Sequence, residues 1–161
     1  MNDESTPKFV IDSNVLLDAY TTINSPSQGR VDAARNVIDK ALQCGVLLIS
    51  KATKRDFDEA IKYHEKLGNI SPQAAGDAMG QVEAITRNFY VPKGYIDKNR
   101  EELEKCKDGN DWPFLILADS ADAIIVTRDK DLLDMNYKDV VVLSPQQFMR
   151  LSLRGRPEEH E

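Results

Sequence analysis

A chain of 161 residues and 18.1 kDa, 41% hydrophobic and 30% charged, has the composition of a globular domain that buries a core without disulfides or structural metals. Lys plus Arg number 21 against 27 Asp plus Glu; the net charge of −6 excludes a protein that holds nucleic acid by bulk positive charge, but not a nuclease with its acids in one cleft and its cations on the rim. The longest apolar runs, Phe114–Ala118 and Val140–Leu143, are far shorter than the roughly 20 residues of a membrane helix, the acidic Met1–Pro7 is unlike a signal peptide, and Cys44 and Cys106 lack zinc spacing, so no membrane and a reducing cytoplasm are expected.

Phe9-Val10-Ile11-Asp12 is an apolar run ending in an acid, as a buried parallel strand would be. Val15, Ala19 and Ile23, with Leu16 and Tyr20, recur at helical spacing until Ser25-Pro26-Ser27-Gln28-Gly29 breaks the pattern. Ala34, Val37, Ile38, Ala41 and Leu42 mark a second helix, ended by Cys44-Gly45, and Val46–Ile49 is a second strand. From Lys51 a third helix carries Phe57, Ala60, Ile61 and His64 as one stripe and stops at Gly68-Asn69. Ser71-Pro72 supplies the cap and first-turn proline of a fourth, with Ala75, Ala78, Met79, Val82 and Ile85 on its face. Phe89–Val91 is expected as a short strand before Pro92, and the charged run Asn99–Lys107 as an exposed helix. Asp111-Trp112-Pro113 opens a very apolar helix through Ala118; Ile124–Thr127 and Val140–Leu143 are two further strands. Ser144-Pro145 caps a last helix with Phe148 and Leu151, and the polar tail 155–161 is expected to fray. Strands alternating with helices, each strand continuously apolar, predict an α/β fold: one domain with a core over about residues 8–150, built as three α/β/α layers on a central parallel sheet.

In such sheets the binding crevice lies beyond the carboxyl ends of the strands. Asp12 ends the first strand, Asp129 follows Ile124–Thr127, Asp56 lies early in the helix after the second strand, and Asp111 opens the apolar helix. Four acids from four segments can therefore meet at one rim. Like charges oppose one another's ionisation, and a hard divalent cation removes that cost. Mg²⁺ and Mn²⁺ suit a site of carboxylates without His or Cys, where they lower the pKa of a bound water and stabilise phosphodiester hydrolysis, two ions standing about 4 Å apart. Taken singly, each acid has a structural alternative: Asp12 and Asp111 as helix caps, Asp129 and Asp131 as turn residues, Asp56 as a solvated helix acid.

Val10-Ile11-Asp12-Ser13-Asn14-Val15-Leu16-Leu17 resembles the opening motif of PIN domains, V-I-D-T-N-V-L-L. Val126-Thr127-Arg128-Asp129-Lys130-Asp131-Leu132 resembles their closing V-T-x-D-x-D motif followed by Leu or Phe. Cys106-Lys107-Asp108-Gly109-Asn110-Asp111, then Phe114-Leu115 and Ala118, is similar to the C-x-D-x-x-D segment of a subgroup described as toxin components of toxin–antitoxin systems. The resemblance spans roughly residues 8–150. It implies a Mg²⁺- or Mn²⁺-dependent ribonuclease of VapC type, with Asp12, Asp111 and Asp129 on the metal. Asp56 would bind the ion or orient a water, Ser13 and Asn14 would support Asp12, and Asp131 would be an accessory acid. It also implies an RNA substrate, an antitoxin partner lying across the groove, and a homodimer. Three features depart from the pattern. Asp56 stands where Glu is usual, with Glu59 one turn on as a fallback. Asn110 and Trp112 replace further acids, and Lys93–Lys107 is long.

Lys51, Lys54, Arg55, Arg128 and Lys130 are candidates to steer an RNA backbone, with Lys62 and Lys66 farther along the helix; a solvated helix face is the alternative. Arg150, Arg154 and Arg156 read as a soluble end, Trp112 as core rather than a base-stacking platform, and His64 as a partly buried structural residue. A PIN module that binds RNA or a protein without cutting is the second hypothesis, motivated by Asp56. A receiver-like phosphoacceptor is disfavoured, because no second Asp follows Asp12 at i+2.

Overall fold

A computed structural model of the protein describes residues 6–152. The readings of Arg154, Arg156 and the tail after Gly155 fall outside that range. Within it are five strands, β1 (Lys8–Ile11), β2 (Val46–Ile49), β3 (Arg87–Asn88), β4 (Ile124–Val126) and β5 (Val142–Leu143). The helices are α1 (Ser13–Tyr20), α2 (Gln28–Cys44), α3 (Lys51–Lys66), α4 (Pro72–Ile85), α5 (Tyr95–Leu103), α6 (Trp112–Ala121), α7 (Lys130–Asp134) and α8 (Pro145–Arg150). The strands form one sheet in the order β3-β2-β1-β4-β5, and every pair is parallel.

The alternation of side chains along a strand divides the core in two. Phe9, Ile11, Leu47, Ile49 and Val126 face one side, where they pack with α1, α2, α3, α4 and Phe148. Val10, Leu48 and Ile125 face the other, against Leu115, Leu117 and Ala118 of α6, with Leu103, Leu132 and Tyr137. Burial on both faces is why these strands read as unbroken apolar runs. Lys40 of α2 ties the last helix to this body: its ammonium donates to the carbonyls of Phe148 (2.5 Å) and Leu151 (2.6 Å), two acceptors at the α8 terminus.

The sheet edges and the charged segment differ from expectation. The strand expected at Phe89–Val91 is instead Arg87–Asn88, because pairing with Leu48 and Ile49 defines it; Phe89 and Val91 pack on the second core cluster. Likewise β5 is Val142–Leu143 only, the two residues that pair with Ile125 and Val126. The exposed helix expected over Asn99–Lys107 is Tyr95–Leu103, started by Gly94 in the left-handed region (φ 83°). Helix α1 stops at Tyr20, since Thr21 turns its hydroxyl onto the Leu17 carbonyl (2.7 Å), and Ile23 is buried without being helical.

At the β1–β2 entry, the Pro7 carbonyl accepts from the Val46 amide at 2.9 Å. A Cβ on the adjacent Gly45 would stand 2.0 Å from that same oxygen. Gly45→Ala is therefore expected to destabilise the fold by about 1–3 kcal/mol through forced backbone movement. Gly80→Ala, at an open position of α4, should instead stabilise by about 0.5–1 kcal/mol. Urea unfolding of the pair checks both signs.

Candidate active site

The sheet order places β1 beside β4, and from these neighbours the chain leaves toward opposite edges of the sheet. That is the topological switch point, where a crevice opens beyond the carboxyl ends. Asp12 follows β1 there and is 7% exposed. It occupies the cap position of α1, yet its side chain makes no capping bond. Its Oδ2 instead accepts from the Thr127 hydroxyl at 2.6 Å, and the same hydroxyl accepts from the Asp129 amide at 2.9 Å. One buried threonine thus links the two acids that end β1 and β4.

Asp56 is brought in from α3. A reciprocal capping box starts that helix: the Thr53 amide donates to Ser50 Oγ (3.2 Å) and the Ser50 amide to Thr53 Oγ1 (2.9 Å). One turn on, Asp56 Oδ2 accepts from the Ser13 hydroxyl at 2.7 Å. Asp111 arrives on the short 3₁₀ turn Gly109–Asp111 that leads into α6. It is buried, it too makes no capping bond, and its Oδ2 has no hydrogen-bond partner. Asp129 is half-buried and does cap its helix, Oδ1 accepting from the Asp131 amide at 2.9 Å.

These acids act on one another. Burial raises the pKa of Asp12, hydrogen bonds from Thr127 and the Ser13 backbone oppose that rise, and the charges of Asp129 and Asp56 add to it. Asp111 is pushed up to about 7, first by burial, then by the charges of Asp129, Asp108 and Asp12 and a hydrogen bond with Asp129. Asp12, Asp56, Asp111 and Asp129 therefore share one electrostatic environment. Asn14, Asp131 and Glu59 are exposed.

The predicted cations divide. Lys51, Arg55 and Lys130 are exposed. Lys54 is ion-paired with Asp58 (2.7 Å) and Glu83 (3.4 Å). Arg128 donates at 2.6 Å to Asp18 Oδ2, which also receives Arg30 at 2.7 Å. The Asp18 side chain is fully buried, and the Arg128 guanidinium is held in this contact. Sequence reasoning missed Asp18, although an acid among Val15, Leu16, Leu17 and Ala19 was its signal. It also missed Thr127 and Asp108. His64 is partly buried and bonded through Nδ1 to Asn69 (3.0 Å), and Trp112 is half-buried against the second core cluster.

The donor set suits a hard cation: carboxylate oxygens throughout, with one buried acceptor, Asp111 Oδ2, lacking any partner in the protein. Among the described residues no three acids, His or Cys converge in ion-ligating geometry. Among the described residues no helix is long and apolar enough to cross a membrane.

No protein-family model and no curated protein matches the sequence. Solved structures match the fold. PAE2754 from Pyrobaculum aerophilum superposes with a TM-score of 0.63 at 17% identity, over 90% of this chain and 89% of that one. VapBC2 from Rickettsia felis, a structure bound to a DNA fragment from its promoter, superposes with a TM-score of 0.63 at 13% identity, over 85% of this chain and 98% of that one. The chain has the PIN-like three-layer α/β/α fold that its terminal motifs implied.

Two predictions follow from the charges. Asp111 holds its proton up to about 7, against 3.8 for an ordinary Asp. The native state thus binds that proton more tightly than the unfolded chain. The associated stability is complete below the lower value and lost as pH rises through the upper one. Thermal midpoints should fall between about pH 5 and about pH 8; Asp111→Asn should flatten that fall and raise the midpoint at the alkaline end. Asp18→Ala should cost about 1.5–3 kcal/mol in urea unfolding, since two arginines lose a charged acceptor.

Proposed function

We propose that this protein is a metal-dependent endoribonuclease that hydrolyses RNA phosphodiester bonds, and that it is the toxin of a toxin–antitoxin pair. The observation that carries the reading is the meeting of Asp12, Asp56, Asp111 and Asp129 in one electrostatic environment at the switch point of the sheet. The three PIN-type motifs support it, as does the fold shared with VapBC2.

In this reading Asp12, Asp111 and Asp129 hold Mg²⁺ or Mn²⁺, and Asp56 orients a water. Bound there, the ion supplies a polarised phosphate and a water of lowered pKa. The chain's own residues do the rest. Thr127 holds Asp12 through Oδ2 and receives the Asp129 amide, fixing the spacing of two carboxylates. Ser13 holds Asp56 by its hydroxyl, which leaves the other carboxylate oxygen to accept from a water. Asp111 must release the proton it keeps up to about 7 before both its oxygens can face a cation. Lys51, Arg55 and Lys130 are exposed to meet the RNA backbone. A cytoplasmic location, an antitoxin covering the groove, and a homodimer belong to the same reading.

The second reading is a PIN-like module that binds RNA or a protein without cutting. The lack of three convergent ligands among the described residues is what favours it. Incubation of labelled mixed-sequence RNA with the protein and with Asp12→Asn, in Mn²⁺ and in chelator, separates the two. The expected result is cleavage by the parent in Mn²⁺ only, reduced about 100-fold or more in the variant. A folded parent that leaves all RNA intact supports the binding module.

A further inference from the structure

The carboxyl edge of the sheet carries a second feature that the acids do not use. Between the start of α3, the segment after β3 and the start of α6 lies a groove of about 820 Å³. Its wall is aromatic and aliphatic: Phe89, Tyr90, Val91, Ile96 and Trp112 all line it. That volume is in the upper range of small-ligand sites, about 300–1,000 Å³, so a core side chain does not fill it. Tyr90 is 87% exposed, the largest exposure among the large apolar side chains of the described residues. Its ring lies beside the groove and is almost wholly open to solvent.

We propose that this groove seats unpaired bases of a single-stranded RNA, stacked on Tyr90 and Trp112, and so delivers the strand to the acids. The inference rests on the nuclease reading for the identity of the polymer. Three observations favour bases over an apolar peptide. First, the groove borders the segment that carries one of the acids: Gly109 and Trp112 line it, and Asp111 lies between them in the chain. Second, the exposed Lys51 lines the groove at the start of α3, with the exposed Arg55 one turn farther along that helix; Lys54, which also lines the groove, is ion-paired with Asp58 and Glu83. The rim of the groove thus carries positive charge that a phosphate backbone can meet. Third, aromatic faces accept any base, which suits binding that precedes cleavage and does not depend on sequence.

The wall is held in place before any ligand arrives. Tyr95, which also lines the groove, donates its hydroxyl to Asp119 Oδ2 at 2.5 Å and is bonded to the Tyr137 hydroxyl at 2.7 Å. Those bonds anchor α5 to α6 and to the chain after α7. The long charged segment noticed in the sequence therefore builds one side of the groove.

Trp112 is the only tryptophan in the chain, so the protein's tryptophan emission comes from a residue that lines this groove and packs on the second core cluster. The test titrates a short single-stranded RNA of mixed sequence into the full chain in chelator, where no metal-dependent cleavage occurs. Trp112 emission and the anisotropy of labelled RNA are both followed. The expected result is quenching that saturates with the same Kd as the anisotropy. Tyr90→Ala should weaken that Kd about tenfold, and a duplex of the same sequence should quench less. RNA that binds by anisotropy while Trp112 emission stays constant and Tyr90→Ala binds like the parent overturns the proposal. So does the absence of any binding, the outcome expected if the groove serves a protein segment. The nuclease reading is judged separately by Mn²⁺-dependent cleavage. Cleavage without quenching removes only the groove, and quenching without cleavage removes only the catalysis.

Discussion

Repulsion among four carboxylates is the constraint on which this structure turns. Asp12, Asp56, Asp111 and Asp129 come from four segments, and parallel strands with helical crossovers bring them to one edge of the sheet. The result opposes folding, since burial and neighbouring charge both raise the pKa of Asp12 and Asp111. The chain offsets part of this with fixed donors rather than with cations. Thr127 and Ser13 each aim a hydroxyl at a carboxylate, and the Asp131 amide serves a third. None of these donors satisfies Asp111 Oδ2. The carboxylates' mutual repulsion therefore remains in the folded protein, and the cation proposed above would relieve it.

The positive charge is arranged to leave that repulsion in place. Arg128 lies next to Asp129 in the chain, yet its guanidinium turns to Asp18 on α1, together with Arg30 of α2. This buried contact joins α1, α2 and the loop after β4, and so fixes the backbone that carries Asp129. Had Arg128 paired with the acids themselves, it would have lowered their pKa values and competed with a metal. The arginine of the closing motif therefore acts on the scaffold, and among the cations that neighbour Asp56 and Asp129 in sequence it is Lys51, Arg55 and Lys130 that stay exposed.

The central strands were legible because burial on both faces leaves unbroken apolar runs, the helices α2 and α3 because of their apolar stripes, and α4 and α8 because Ser71 and Ser144 cap their starts. The edge strands were not. Two residues of β3 are exposed and polar, Arg87 and Asn88, and only their pairing to β2 makes them a strand. Asp12 and Asp129 could be placed by topology alone, since strand ends in a parallel sheet share an edge, and Asp56 by its position early in the helix that leaves β2. What no local pattern reveals is the state of each carboxylate. Asp12 and Asp129 both sit at cap positions, but one turns away from its helix and the other caps it. The roles of Thr127 and Asp18 depend on partners 115 and 12 residues away or farther, beyond any periodicity.

The substitution of Asp for Glu at position 56 looks, from sequence, like a loss of reach. The structure gives it a different meaning. Asp56 is not aimed into empty space, because Ser13 of α1 meets its Oδ2 at 2.7 Å, and Ser13 is the residue directly after Asp12. The first motif thus holds two acids at once, one on its own backbone and one through its hydroxyl. A longer carboxylate at this position would carry its oxygens past the Ser13 hydroxyl, and that bond would need a different rotamer to survive. Residue 56 and residue 13 are therefore matched in length. The shorter side chain is tied to the acid cluster by that bond, and Ser13 thereby sets where its carboxylate stands.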